Sequence, residues 1–524
     1  MCRRILVPLV IAALGLGITA CGSGGASGES TLTWAIGAEP RSLDTAHAFD
    51  GDSLTVNNEV LEPLVGLNSD GEIEPRLASA WSQPDPTTYV YELRDDVTFW
   101  NGSKLTADDV VFSIKRHLDP AVASELAAYV KDVASVTATG PLEVTIKLKA
   151  PVPEFQYTVS LVSHTVQKAF AVEHGDDLGN SKTLTMGTGP YQVTRFSADG
   201  VELQRNEDYW GTTPTWKSIE IDVNSDPETL RLAVGAGEVD GTFSVPPESS
   251  RTWDSLSGVS VQYANAPIVT TLAMDTSAAP WNDPHLRRAM AHAIDLKALV
   301  KAVFNGRARV AESIVDPQLW SYIGVSPDEV DELHQDVTNY EFDVEKARQE
   351  LAKSRHPDGI SFTVQYPAGK ASMSKALQIV AANLKEVGIT LTPKEVPASQ
   401  WIGYIYAHMD LGVQLLPFGA DYPDPGTVRV LLGTENAAPN GFNIANFKPP
   451  EIDDLLIQER SDDRAARTEA IHQIAKIVAE EVPYLPLYFV DATLALRDDL
   501  RYDGEYSYWS RLLGEWANDV KAAE

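Results

Sequence analysis

Ser372-Met373-Ser374-Lys375 sets a hydroxyl and an amine one helical turn apart, the spacing at which an amine can assist a serine nucleophile. The Ser-Asp-Asn and Lys-Thr-Gly elements that accompany this pattern in acyl-transfer enzymes are missing, and serine and lysine are common enough for one chance match. Gly369-Lys370 fails as a phosphate loop, because Val364 stands where its first glycine belongs and Ala371 replaces the Ser or Thr. No Gly-x-Ser-x-Gly elbow and no His-Glu-x-x-His zinc helix occur. The 10 histidines are scattered. His285 and His292 share a helical segment but lie two turns apart, too far to pair on one metal, and read as surface or interface residues. No catalytic residue, cofactor or metal is expected, which leaves binding chemistry.

The strongest binding candidate is Phe418-Gly419-Ala420-Asp421-Tyr422-Pro423-Asp424-Pro425-Gly426. It follows an apolar run, residues 411–416, that reads as a buried strand, and loops at strand ends are where α/β proteins lodge ligands. Phe418 and Tyr422 offer aromatic surface, the two prolines stiffen the turn, and Asp421 can hold a cationic group through a charge-assisted hydrogen bond. Asp421 and Asp424 read equally well as turn or cap residues, so both readings stay open here.

Strand-like and helix-like segments alternate along the chain, which points to α/β architecture. Val144, Ile146 and Leu148 alternate with Thr145, Lys147 and Lys149 as in a half-buried strand, and residues 89–94 are similar. Thr106 with Asp109 forms a capping-box-like start to Val110, Val111, Ile114 and Leu118. Asp283-Pro284 supplies an N-cap and an N1 proline ahead of Leu286, Met290, Ala293 and Ile294. Leu377, Val380, Leu384 and Val387 share one helical face ended by Gly388, and Ile471, Ile474 and Val478 mark another helix closed by Pro483.

The chain has 524 residues, 42 Lys+Arg against 74 Asp+Glu, and a net charge of −32. So acidic a protein lacks the basic stripe that nucleic acid or an anionic membrane surface requires. At 44% hydrophobic and 22% charged it is an ordinary globular composition, long enough for two or three domains. Both cysteines, Cys2 and Cys21, lie near the N-terminus, so neither a disulfide framework nor a cysteine-based metal site can form in the body. Arg3 and Arg4 precede an apolar stretch, residues 5–17, shorter than the ~20 residues of a spanning helix. Residues 1–20 therefore read as a signal peptide. Ile18-Thr19-Ala20-Cys21 resembles the bacterial lipobox, in which the cysteine is acylated and becomes the new N-terminus. Residues 21–30 are then the lipidated Cys21 and a Gly/Ser tether. Cleavage would remove Arg3 and Arg4 and leave 40 basic against 74 acidic residues, a net −34.

Taken in order, several blocks resemble the family 5 bacterial solute-binding proteins, the oligopeptide and dipeptide binding lipoproteins of ABC importers. The blocks are Ser42-Leu43-Asp44, Leu61-Glu62-Pro63-Leu64, the segment 92–102 leading into 105–110, Gly187-Thr188-Gly189-Pro190-Tyr191, and Asn206-Glu207-Asp208-Tyr209-Trp210-Gly211. Gly237-Glu238-Val239-Asp240, Leu286-Arg287-Arg288-Ala289-Met290 and Asp421-Tyr422-Pro423-Asp424-Pro425 follow. Each is weak alone; their ordered conjunction covers nearly the whole mature chain.

The resemblance implies a class II periplasmic-binding-protein-like α/β fold, two lobes with a hinge plus an extra domain on the first lobe. It implies lobe 1 at 31–70, 188–270 and 487–524, the extra domain at 71–187, and lobe 2 at 271–486. Ligand would bind between closing lobes and be delivered to an ABC permease and ATPase complex, with the membrane touched only through the lipid anchor. Localisation would be extracytoplasmic, at the cell surface or in the periplasm. In peptide-binding members the aspartate at the position of Asp421 takes the ligand ammonium, and Phe418 stands where tryptophan is usual. Phe49 and Gly51 match a segment that touches ligand through its backbone, and Tyr488 lies near an aromatic of the returning strand. Dipeptide binders clamp the ligand carboxylate with an arginine where this chain has Tyr366, a departure that favours longer peptides. Family members also bind nickel chelates, haem, sugars or opines, so another small solute is the alternative. A secreted hydrolase using Ser372 and Lys375, or a signalling or adhesion lipoprotein, are the readings from other classes.

Overall fold

The computed structural model describes residues 31–439 and 441–523. The signal peptide, Cys21 and the tether, residues 1–30, lie outside the described residues.

Two long antiparallel strands, Val259–Met274 and Tyr484–Arg497, form the spine of a nine-stranded sheet. One end of the spine is flanked by Gly241–Thr242, which pairs Leu496 and Ala495 and leads on to the parallel strands Thr31–Ile36 and Ser218–Val223. Gly200–Arg205 and Tyr191–Ser197 complete that side by antiparallel pairing. The other end is flanked by Val413–Gly419 on one edge and Ala308–Val310 on the other. Between the two ends the ladder breaks: pairing jumps from Asn265 to Ile268, leaving Ala266 and Pro267 out of register. Proline has no N–H to donate, so a bulge at this point is what the sequence requires. The sheet thus has two halves joined by two strands.

Beside the first half lies a four-stranded antiparallel sheet of Ala78–Asp85, Thr88–Leu93, Glu143–Leu148 and Val133–Gly140. Helix Ala107–Leu118 packs on it; the Asp109 carboxylate accepts from the Thr106 backbone N–H at 3.0 Å and hydroxyl at 2.6 Å, the cap expected from sequence. Beside the second half, the parallel pair Ser361–Pro367 and Thr390–Val396 is joined by helix Ala371–Lys385, which buries Leu377, Val380 and Leu384. Helix Pro284–Ala293 begins with the Asp283 cap and an N1 proline. The strand expected at 411–416 runs instead to Gly419. Pro417 is tolerated there because Val413–Gly419 is an edge strand, where a missing donor costs no ladder bond.

Several sequence blocks meet at one buried carboxylate. Glu62 accepts from the Thr188 hydroxyl at 2.6 Å, the Tyr209 hydroxyl at 3.0 Å and the Trp210 indole at 3.0 Å. Burial and then the neighbouring Glu515 push its carboxyl up to about 8, with the three donors opposing. The glycines of Gly187-Thr188-Gly189 let the chain pass close to the Glu59–Val60 backbone: a Cβ on Gly187 would lie 2.0 Å from the Val60 carbonyl oxygen. Gly187→Ala should therefore cost ~3 kcal/mol of stability, at the upper end for a single substitution. Gly403→Ala, exposed in helix Ala398–Ala407 with open space around it, should be neutral or stabilising by ~0.5–1 kcal/mol. Urea denaturation of both variants checks this; equal midpoints would show that the close approach is not constraining.

Candidate functional site

Asp421 stands two residues past the edge strand Val413–Gly419, and its position is fixed through the residue before it. The Ala420 N–H donates to the Pro267 carbonyl at 3.0 Å, tying the loop to the break in the spine. The Ala420 carbonyl accepts from the Tyr508 hydroxyl at 3.1 Å. The Asp421 carboxylate accepts a short hydrogen bond from Tyr129, a residue of the turn Ala127–Val130. Among the described residues it has no other hydrogen bond and no ion pair. Burial pushes its carboxyl up to about 6 from an ordinary 3.8, and the Tyr129 bond offsets only part of that rise. Burial and then Asp421 hold the Tyr129 hydroxyl well above its usual range, so it stays a donor.

Phe49 joins this group: its ring meets Tyr129 edge-on at 5.9 Å, and its N–H donates to Glu125 at 3.0 Å. Arg41 pairs with that same Glu125 and with Asp50, and Tyr406 of helix Ala398–Ala407 lies in the field of Glu125 and Arg41. Gly51 opens helix Gly51–Asn57 and lies against Arg511: a Cβ there would be 3.6 Å from the guanidinium. The other candidates point elsewhere. Tyr422 is buried and stacks on Tyr157 at 6.3 Å. Phe418 is buried within the strand, opposite Val269. Tyr488 is buried in the second core, with its ring 4.6 Å from that of Phe304. Tyr366 bonds its hydroxyl to Ser374 at 3.1 Å. Ser372 gives its backbone N–H to Glu248 at 3.1 Å, and Lys375 is exposed. His285 pairs with Glu350, and His292 bonds the Glu341 carbonyl.

Tyr129 and Tyr508 are contributors that sequence reading misses. Tyr129 sits in Leu126-Ala127-Ala128-Tyr129-Val130, which carries no charge and no motif, and it meets Asp421 across 292 residues of chain. A cavity of about 470 Å³ lies away from all of these residues, lined largely by aliphatic side chains such as Val310, Ile474, Val478 and Leu485.

Asp424 serves a different purpose from Asp421. It caps the turn Pro425–Val428 and belongs to a buried cluster with Arg467, Glu459, Arg429 and Glu154. Three carboxylates share two guanidinium groups. Burial, and behind it the other two carboxylates, push the Asp424 carboxyl up to about 7 against the pull of Arg467. At Glu154 burial, the largest single influence, is outweighed by Arg429, a backbone hydrogen bond and Arg467 together, and the carboxyl is held below its ordinary 4.5. Glu154 precedes helix Phe155–Val162, so the cluster bolts the loop after Asp421 to the part of the molecule that carries Tyr129. Arg429→Met should cost ~3–5 kcal/mol at pH 7.5 by leaving buried carboxylates unpaired. A carboxylate with a depressed pKa stabilises above its unfolded value and loses that contribution as pH falls, so the deficit should shrink toward pH 4. Urea denaturation across that range checks both points; a loss under ~1 kcal/mol would contradict them.

The model for bacterial extracellular solute-binding proteins, family 5, matches residues 72–440. The glutathione-binding protein GsiB of Escherichia coli O6:K15:H31 is 26% identical over 470 residues, covering 86% of this chain and 88% of that protein. Among solved structures, the periplasmic binding protein DppA of Helicobacter pylori in complex with the peptide STSA superposes with a TM-score of 0.82 at 22% identity, covering 95% of this chain and 99% of that one. The oligopeptide-binding protein AppA of Bacillus subtilis, in complex with a nonapeptide, gives 0.81 at 22% identity, covering 95% and 100%. The two half-sheets joined by a broken two-strand spine are thus the two lobes of a class II periplasmic-binding-protein-like fold. The chain belongs to the bacterial extracellular solute-binding proteins, family 5.

Proposed function

We propose that this chain is the extracytoplasmic substrate-binding protein of an ABC importer, and that it takes peptides or related amine-bearing solutes between its lobes. The observation that carries this reading is Asp421: a half-buried carboxylate, raised to about 6, with a tyrosine hydroxyl as its hydrogen-bond donor and no cation beside it among the described residues. A ligand ammonium supplies the missing charge. GsiB binds glutathione, and the proteins of similar fold hold the peptide STSA and a nonapeptide, which supports a peptide-like ligand here. Phe49 and Tyr129 then wall the ammonium, and Gly51 lies alongside.

Lobe 1 comprises 31–70, 188–270 and 487–524, the extra domain 71–187, and lobe 2 271–486 in this proposal. The break at Ala266-Pro267 is the hinge, because an unpaired stretch can bend without losing ladder bonds. Acylation of Cys21 holds the body at the membrane. No helix of the described residues is long and apolar enough to cross one.

Replacing the ammonium or the carboxylate by a neutral group should cost about 100-fold in affinity, ~3 kcal/mol. Calorimetry should show this both for an N-acetylated ligand on the native protein and for a free-amine ligand on Asp421→Asn. The pH dependence has a definite sign. A carboxyl raised on folding destabilises the ligand-free protein as pH rises through about 6, and the ammonium relieves that cost, so binding is strong above about 6 and weakens as pH falls through it. Asp421→Asn should flatten the profile. Equal affinity for acetylated and free-amine ligands would sink the assignment.

A further inference from the structure

We propose that Arg511 receives a carboxylate of the same ligand whose ammonium Asp421 holds, so that the site selects zwitterions. This rests on the Asp421 assignment above.

Arg511 lies on the short helix Tyr508–Leu513, started by the reciprocal Ser507–Ser510 cap. That helix is locked to the Asp421 loop through the Tyr508 hydroxyl on the Ala420 carbonyl. Residues three apart share a helical face, so Arg511 is carried on the side that Tyr508 presents to the loop. Its guanidinium lies 5.5 Å over the Phe243 ring, bonds the Tyr506 hydroxyl, and passes beside Gly51, where the missing side chain leaves it uncovered. The Tyr508 hydroxyl lies in the fields of both Asp421 and Arg511.

What distinguishes Arg511 is the partner it lacks. Among the described residues every arginine makes an ion pair except Arg251, which is exposed, and Arg511, which is not. In a chain with 74 acidic against 42 basic residues, a half-buried guanidinium without a carboxylate is the less expected outcome. Asp52 contributes a field but no contact: its carboxylate accepts from the Gly37 N–H, lies also in the field of Lys370 from the second lobe, and is itself held up by burial. A carboxylate and a guanidinium that both lack an ion-pair partner, one next to Ala420 and the other on the helix that Tyr508 ties to Ala420, are complementary to a molecule bearing an ammonium and a carboxylate. The expected arginine at Tyr366 is then not missed, because the carboxylate is taken from the first lobe.

The test uses a synthetic library of free amino acids and peptides of two to nine residues, each as free acid, C-terminal amide and N-acetyl form with distinct isotope labels. The tether-less protein is incubated with the library, and retained species are counted by mass spectrometry. The native protein should enrich free acid over amide by about thirtyfold. Arg511→Gln should reduce that ratio to near one, and Arg511→Lys should keep part of it. Thermal melting confirms that the variants are folded. A residue that merely packs on Phe243 would, when replaced, weaken acid and amide alike and leave the ratio unchanged, which would overturn the proposal. Equal retention of amide and acid by the native protein, with acetylated forms still rejected, would overturn it while leaving Asp421 standing. Retention of acetylated forms, or of nothing in the library, would overturn both assignments.

Discussion

A half-buried carboxylate without a cation is an unfavourable thing to build, and the loop that bears Asp421 is held so as to keep it in that condition. Its side chain is lifted to about 6 by burial and steadied by Tyr129. The loop that bears it cannot relax away, because Ala420 is held on both backbone groups, by Pro267 at the break in the spine and by Tyr508. A few residues on, burial raises Asp424 as well, to about 7, but it has Arg467 against it and Arg429 completing the cluster. Two aspartates in one loop thus divide the work: one is neutralised and fastens the loop, the other is left for a ligand to neutralise.

The same loop links distant parts of the chain. Ala420 is bonded to the break between the half-sheets, and Arg429 reaches Glu154 beside the helix that follows it, while Lys131 and Asp132 reach Glu435 and Arg460 at 2.6 and 2.9 Å. Tyr129 and Asp421 touch across 292 residues of chain. A ligand that replaces the missing charge at Asp421 favours the closed state by as much as it prefers that state, which is how binding would be converted into lobe closure.

Local signals were legible in the sequence, and distant pairings were not. Thr106 with Asp109 and Asp283 with Pro284 specify helix starts through contacts within a few residues, and the structure shows both. The edge strand spans Val413–Gly419 and not the apolar run 411–416, because strand pairing with Val259–Met274, and not hydropathy, sets its ends. The family blocks were legible as a pattern but not as chemistry: Glu62, Thr188, Tyr209 and Trp210 turn out to be one buried hydrogen-bonded knot, and Gly187 a steric necessity. Asp421 could be singled out from its loop. Tyr129 and Arg511 could not, since what makes them matter is a partner hundreds of residues away in one case and the absence of a partner in the other.

The central claim is that Asp421 awaits an ammonium. It is tested most directly by purifying the body without its tether, denaturing it, and identifying the released small molecules by mass spectrometry. Peptides or other solutes with a free amine are the expected result. A sugar or a metal chelate with no free amine, recovered in stoichiometric amount, would contradict it.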